Sequence, residues 1–171
     1  MNDFPQRQPI RLTNFDYGSN GAYFITICVN HRKELLGKID VGAILNRPYD
    51  VPSQIDLSKY GAIVELAIKK IPDYSDTLVD KYVIMPNHIH ILLSVNNDSE
   101  NGRLRIAPTV NISVTIQQFK RRISKQIGFS LWQKSFYDHI IRDEEDYQIH
   151  LKYIEENPAK WAEDEYYGGG S

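Results

Sequence analysis

Two histidines two residues apart, His88 and His90, open an apolar run (HIHILLSV, His88 to Val95) that reads as a β-strand. Side chains alternate across a strand, so both imidazoles point to one face while Ile89 points to the core. Two imidazoles on one exposed strand face make half of a metal site; the competing reading is a pair of ordinary strand histidines. A second pattern follows in YQIHLKYIEENP, Tyr147 to Pro158. On a helix, Tyr153 and Asn157 are four residues apart and share a face. The Asn157 amide oxygen is a hard donor, and two histidines plus one amide leave an ion the open positions that metal catalysis requires. Tyr153 would then stand one turn away, placed to attack a phosphate. A phenol of pKa ~10 is a poor nucleophile at neutral pH, so it would need a cation-rich, low-dielectric setting. The competing reading is a helix-surface tyrosine and an Asn that ends the helix before Pro158.

Such residues need a scaffold, and the chain supplies recognisable elements. Gly21 to Asn30 is β-branched and aromatic and reads as a buried strand. Leu36 to Leu45 suggests a small hairpin, and Leu57 to Ile71 carries apolar residues at helical spacing with Pro72 as the stop. Thr77 to Met85 is a strand, broken by Pro86-Asn87 before the histidine strand. Pro108 to Gly128 holds a basic amphipathic helix, Ser135 to Arg142 a fourth strand, and Asp143 begins a helix with acids in its first turn. The expected class is α+β: a ferredoxin-like or RRM-like antiparallel sheet with helices on one face, and a C-terminal helix carrying the tyrosine. Residues 1–166 read as one domain and residues 167–171 as a flexible tail of linker composition.

With 171 residues, the chain is long enough for one sizeable core and short for two. It has no apolar run of ~18 residues, so no membrane span is expected. The start, MNDFPQRQPIRL, lacks the apolar core of a secretory signal, and the single Cys28 makes no internal disulfide; a cytoplasmic location is the expectation. The net charge of -2 conceals a segregation. Between Asn101 and Tyr137 there is no acid, only Arg103, Arg105, Lys120, Arg121, Arg122, Lys125 and Lys134; between Asp138 and Glu165, ten acids face three basic residues. A basic block of this kind is an electrostatic footprint for phosphates, or else a solvated face that pairs with the acidic block.

Three runs together resemble a known family: MPNHIHILL (Met85 to Leu93), FYDHIIRDEEDY (Phe136 to Tyr147) and YIEENP (Tyr153 to Pro158), supported by YGSNGAYFITICVNHRKELL (Tyr17 to Leu36). They are similar, in order and over most of the chain, to the single-tyrosine transposases of the HUH superfamily, most closely the REP-associated tyrosine transposases. The resemblance implies that His88 and His90 are metal ligands, that Asn157 adds a further ligand, and that Tyr153 is the nucleophile. It implies Mg²⁺ or Mn²⁺ as cofactor, cleavage of single-stranded DNA near hairpins, a 5′-phosphotyrosine intermediate, a free 3′-OH and strand rejoining. Imidazole ligands favour Mn²⁺ over Mg²⁺ as the activator in vitro.

Around that core, Lys120, Arg121, Arg122 and Lys125 are candidates for gripping hairpin phosphates, and Arg103 and Arg105 for reaching a strand or stem. His139 and His150 are accessory candidates, the latter for proton transfer at Tyr153. Tyr23, Phe119, Trp132 and Trp161 read as packing residues, and Cys28 as a buried small apolar one. The alternative to the enzyme is a domesticated, non-catalytic DNA or RNA hairpin-binding protein, with a water-activating phosphodiesterase as a third reading. Monomer and homodimer remain equally open.

Overall fold

The computed structural model describes residues 21–39, 55–95 and 111–163. Its centre is a four-stranded antiparallel sheet of β1 (Gly21–Cys28), β4 (Thr77–Ile84), β5 (His88–Val95) and β6 (Tyr137–Ile141), in the order β4-β5-β1-β6. The two most apolar strands, β1 and β5, therefore sit in the middle, and the more polar β4 and β6 take the edges, where one side of each ladder is open. The short β2 (Gly37–Lys38) and β3 (Asp56–Leu57) pair separately. Of the expected Leu36–Leu45 hairpin, Gly37 and Lys38 pair with Leu57 and Asp56, and residues 40–45 lie outside the described residues.

One face of the sheet is a hydrocarbon layer. Tyr23, Ile25 and Ile27 of β1 and Ile89, Ile91 and Leu93 of β5 lie under α1 (Lys59–Lys69) and α2 (Ile112–Ile127). Helix α1 starts where the Ser58 hydroxyl accepts from the Tyr60 and Gly61 amides, as an N-cap must. Gly61 is required for packing, since a Cβ there would lie 2.0 Å from the Leu36 carbonyl oxygen. Helix α2 is capped by the Asn111 side chain and ended by Gly128 at φ 91°, the left-handed C-cap glycine. It contributes Ile112, Ile116, Phe119 and Ile123 to the core. Tyr23, Phe119 and Trp132 are buried as expected, whereas Cys28 is only half-buried.

The opposite face carries Phe24 and Thr26 of β1 and His88, His90 and Leu92 of β5. Over it lies α3 (Glu144–Glu156), followed by a 3₁₀ segment, Asn157–Glu163. Phe24, Val83, Met85, Leu92, Ile154 and Trp161 form a second, smaller apolar cluster here. Two polar ties fix α3 to β4: Lys81 Nζ to Glu155 at 2.8 Å and Tyr147 Oη to Asp80 at 3.2 Å. Asp80 stands at an irregularity between Val79 and Lys81, and its carboxylate also accepts from Ser94 Oγ. The α+β class, the antiparallel sheet, the helices on one face and the C-terminal tyrosine helix are all present. What the sequence did not convey is that α3 closes over the histidine face, so that His88 and His90 are buried on a covered surface.

Candidate functional site

His88 and His90 are 0% and 1% exposed, and their Nε2 atoms meet at 3.0 Å. Each outer ring nitrogen has an oxygen partner. His88 Nδ1 lies 2.8 Å from Asn87 Oδ1, and the Asn87 amide is oriented by its own Nδ2 donating to the Arg32 carbonyl at 3.2 Å. An amide oxygen only accepts, so His88 carries its proton on Nδ1 and turns the Nε2 lone pair inward. His90 Nδ1 is 2.8 Å from Thr26 Oγ1, directly across the β1–β5 ladder. With that hydroxyl as acceptor, the second Nε2 lone pair also faces inward. Two nitrogens bound to one ion at ~2.1 Å, at adjacent positions, stand ~3.0–3.4 Å apart. The observed separation is already in that range.

Both imidazoles are held neutral. Burial first, and the Arg32 charge second, push the His88 pKa down to about 3. Burial, then His88 and His150, hold His90 well below the usual histidine value. Neutral imidazole is the form that ligates a metal.

Helix α3 brings the remaining groups. Asp143 caps it, accepting from the Asp146 amide at 2.9 Å, and three acids in the first turn suit the positive end of its dipole. The Asn157 amide donates to the Tyr153 carbonyl, so the helical path continues to Asn157 one turn beyond the tyrosine. Asn157 is 4% exposed and its Oδ1 has no hydrogen-bond partner among the described residues. A buried amide oxygen without a donor is costly, and a cation ligand removes that cost. The donor set of two neutral imidazoles and one orphaned oxygen therefore fits a divalent ion. Tyr153 is 40% exposed, and its ring centroid is 5.2 Å from His90 and 5.8 Å from Phe24. Phe24, Thr26, His90, Tyr137, Ile149, His150 and Tyr153 line a cleft of about 420 Å³. The buried histidine pair thus meets, through His90, a cleft that also holds the half-exposed Tyr153.

No protein-family profile matches the chain. It is 31% identical over 178 residues to an uncharacterised protein of Haemophilus influenzae, spanning 94% of this chain and 93% of that one. A protein of the same organism named as a putative REP-associated tyrosine transposase is 35% identical over 82 residues, 45% of this chain and 47% of the relative. The REP-associated tyrosine transposase of Escherichia coli is 24% identical over 147 residues, 84% of this chain and 70% of the relative. A solved structure of a REP-associated tyrosine transposase bound to a REP hairpin superimposes with a TM-score of 0.58 at 22% identity, over 88% of this chain and 74% of that one. The chain is similar to REP-associated tyrosine transposases. The fold is the one this family uses, and the protein is transposase-like.

In this transposase-like chain the other sequence candidates fall in three places. His139 and His150 lie on the site face, their rings stacked at 4.6 Å, with His150 4.7 Å from the Phe24 ring that also stacks on His90 at 5.1 Å. The basic residues of α2 lie on the other side of the sheet, away from Tyr153. There Lys120 Nζ donates to the carbonyls of Gln133, Lys134 and Ser135 at 2.6, 3.1 and 3.3 Å, a cross-link within the fold. Arg122 stacks on the Tyr74 ring at 4.3 Å. Arg121, Arg122 and Lys125 line a shallow depression with Gln118 and Gln126. Arg103 and Arg105 lie outside the described residues. Sequence reasoning missed Thr26, Asn87 and Arg32, which orient the histidines. Thr26 is invisible without the β1–β5 register. Asn87 read only as a strand breaker, and Arg32 offers its carbonyl from a turn where His31 and Arg32 take φ 56° and 53°.

Proposed function

We propose that the protein is a metal-dependent endonuclease and strand transferase acting on single-stranded DNA beside hairpins. The observation that carries this reading is the buried His88–His90 pair, whose Nε2 atoms meet at 3.0 Å, with the half-exposed Tyr153 ring 5.2 Å from His90 in the cleft that His90 and Tyr153 both line; the unpaired Asn157 Oδ1, one helical turn beyond Tyr153, supports it. His88, His90 and Asn157 would hold the divalent ion, Mn²⁺ or Mg²⁺. Bound there, it would polarise a phosphate and lower the cost of phenolate formation. Tyr153 Oη loses its proton and attacks the scissile phosphorus; the bond from phosphorus to the 3′-oxygen breaks. The products are a 5′-phosphotyrosine link and a free 3′-OH, which takes its proton from water. Thr26 and Asn87 keep the imidazoles in the ligating tautomer. Trp161 and Ile154 exclude water from beneath the site. The relative bound to a REP hairpin supports a hairpin partner, with Arg121, Arg122 and Lys125, together with Arg103 and Arg105, as the proposed phosphate contacts. Lys120 is the weakest of these, since its ammonium already holds three carbonyls.

The test is incubation with a fluorescent single-stranded oligonucleotide carrying a hairpin from DNA flanking the gene, with Mn²⁺ present or chelated. A labelled, slower-migrating protein band on a denaturing gel, dependent on metal and lost in Tyr153→Phe, is the expected outcome. Tight binding without that band on several flanking hairpins would replace the enzyme with a non-catalytic hairpin-binding protein.

A further inference from the structure

Beside Phe24, whose ring lies 4.7 Å from that of His150, three ligand-type side chains converge from two elements. His139 Nε2, on β6, lies 3.1 and 2.9 Å from the two carboxylate oxygens of Asp146 on α3. His150 Nδ1, one turn further along α3, lies 3.1 Å from Asp146 Oδ1 and 2.8 Å from the Asp146 carbonyl. One ligand atom from each residue lies within 4.8 Å of the other two. All three side chains are half-buried.

We propose that His139, Asp146 and His150 form a second metal site, separate from His88, His90 and Asn157, that takes a divalent transition-metal ion such as Zn²⁺, Co²⁺ or Mn²⁺. Two imidazoles and one carboxylate, with positions left open, are a donor set for these ions and a poor one for Ca²⁺. Ligand atoms on a tetrahedral ion at ~2.0–2.1 Å stand ~3.3–3.4 Å apart. The Asp146-to-histidine distances of 2.9 and 3.1 Å need to open by only a few tenths of an ångström. Binding exchanges the two N–H···O contacts for metal bonds, and His150 gives up its hydrogen bond to the Asp146 carbonyl.

The carboxylate is already prepared for this role. Asp146 Oδ2 accepts from the Arg142 amide at 3.0 Å, an outer contact of the type that orients metal-ligating carboxylates. The hydrogen bond to His139, more than any other cause, holds the Asp146 carboxyl below the usual range, so it is ionised. The sheet register sets the third ligand: His139 pairs with Phe24, which puts it on the site face. Because His150 also lines the cleft of Tyr153, an ion held here adds positive charge where a phosphate would enter. That consequence rests on the nuclease reading above; the binding itself does not.

The decisive experiment is Co²⁺ titration of the chelator-stripped full chain, followed by visible d–d absorption and by native mass spectrometry. The wild type is expected to take up about two ions per chain, and His139→Gln about one, with unchanged circular dichroism. A double His88→Gln/His90→Gln variant should also fall to about one, by losing the other ion. Uptake by His139→Gln equal to wild type would overturn the proposal and leave a hydrogen-bonded cluster only. Should the double histidine variant keep full uptake while His139→Gln loses one ion, the second site stands and the metal role of His88 and His90 fails. Asp146→Asn, which keeps size and the Arg142 contact while weakening ligation, should match His139→Gln; normal uptake by this variant also counts against the site.

Discussion

The two faces of the central sheet are built from the same strands and have opposite characters. Along β5, Ile89, Ile91 and Leu93 enter the layer under α1 and α2, while His88, His90 and Leu92 rise under α3. On the first face every polar decision is made by burial: residues there are interchangeable hydrocarbon so long as volume is kept. On the second face burial works against the residues, because it strips water from two imidazoles and an amide and holds them neutral or unpaired. The stable face thus supports the other, and the contrast separates residues needed for folding from residues needed for chemistry.

The sharpest test of that separation is Tyr153→Phe. Removing the proposed nucleophile should lower adduct formation by at least about 10⁴-fold, while the urea-unfolding midpoint stays close to wild type, since the residue is 40% exposed and the ring is kept. Phe119→Ala on the other face should do the reverse. It opens a cavity among Ile116, Ile123 and Trp132 and should cost ~3–5 kcal/mol in a denaturant melt, with residual activity tracking the folded fraction. If Phe119→Ala instead proved neutral, the hydrocarbon face would not be the foundation of the fold.

The histidine face should also show itself in pH. His88 titrates near 6.5 when unfolded and at about 3 when folded, so between these values the unfolded chain binds the extra proton. Stability is therefore complete above pH ~6.5 and falls as pH drops, by at most about 2 kcal/mol at pH 5 from His88, with His90 acting in the same direction. Urea melts at pH 7.5 and 5 on wild type and His88→Gln measure the difference; equal slopes would show that burial of His88 is not what the folded chain resists. Asp143→Ala should cost ~1 kcal/mol by uncapping α3, and lower the apparent metal affinity as Asn157 and Tyr153 loosen. The smallest effect belongs to the far side: Arg121→Ala with Lys125→Ala should reduce the salt dependence of hairpin binding by up to about 0.9 per lost phosphate contact, leaving the adduct rate at saturating DNA unchanged.

Much of this organisation is legible in the residues themselves. The alternation His88-Ile89-His90 assigns two side chains to one face and one to the core, and the i, i+4 spacing of Tyr153 and Asn157 puts them on one side of a helix. These are local geometric facts, set by a period of two or of 3.6, and they survive any tertiary arrangement. The strands, the three capped helices and the limit near Pro158 follow from the same local rules, within a few residues. The basic block was also legible as charge, but charge in sequence has no direction. Only the fold shows that Lys120 is tied to three carbonyls and that Arg121, Arg122 and Lys125 face away from Tyr153.

What tertiary structure alone decided are the long-range pairings. The β1–β5 register sets Thr26 against His90, the turn at His31 and Arg32 delivers a carbonyl to Asn87, and α3 folds back across the sheet to bring Tyr153 over His90. The same return places Asp146 and His150 against His139, seven and eleven residues earlier. None of these contacts has a sequence period, because each depends on which strands are neighbours and on which face a helix settles. The residue types and their local spacing determined what chemistry was available; the sheet order and the docking of one helix determined which groups meet.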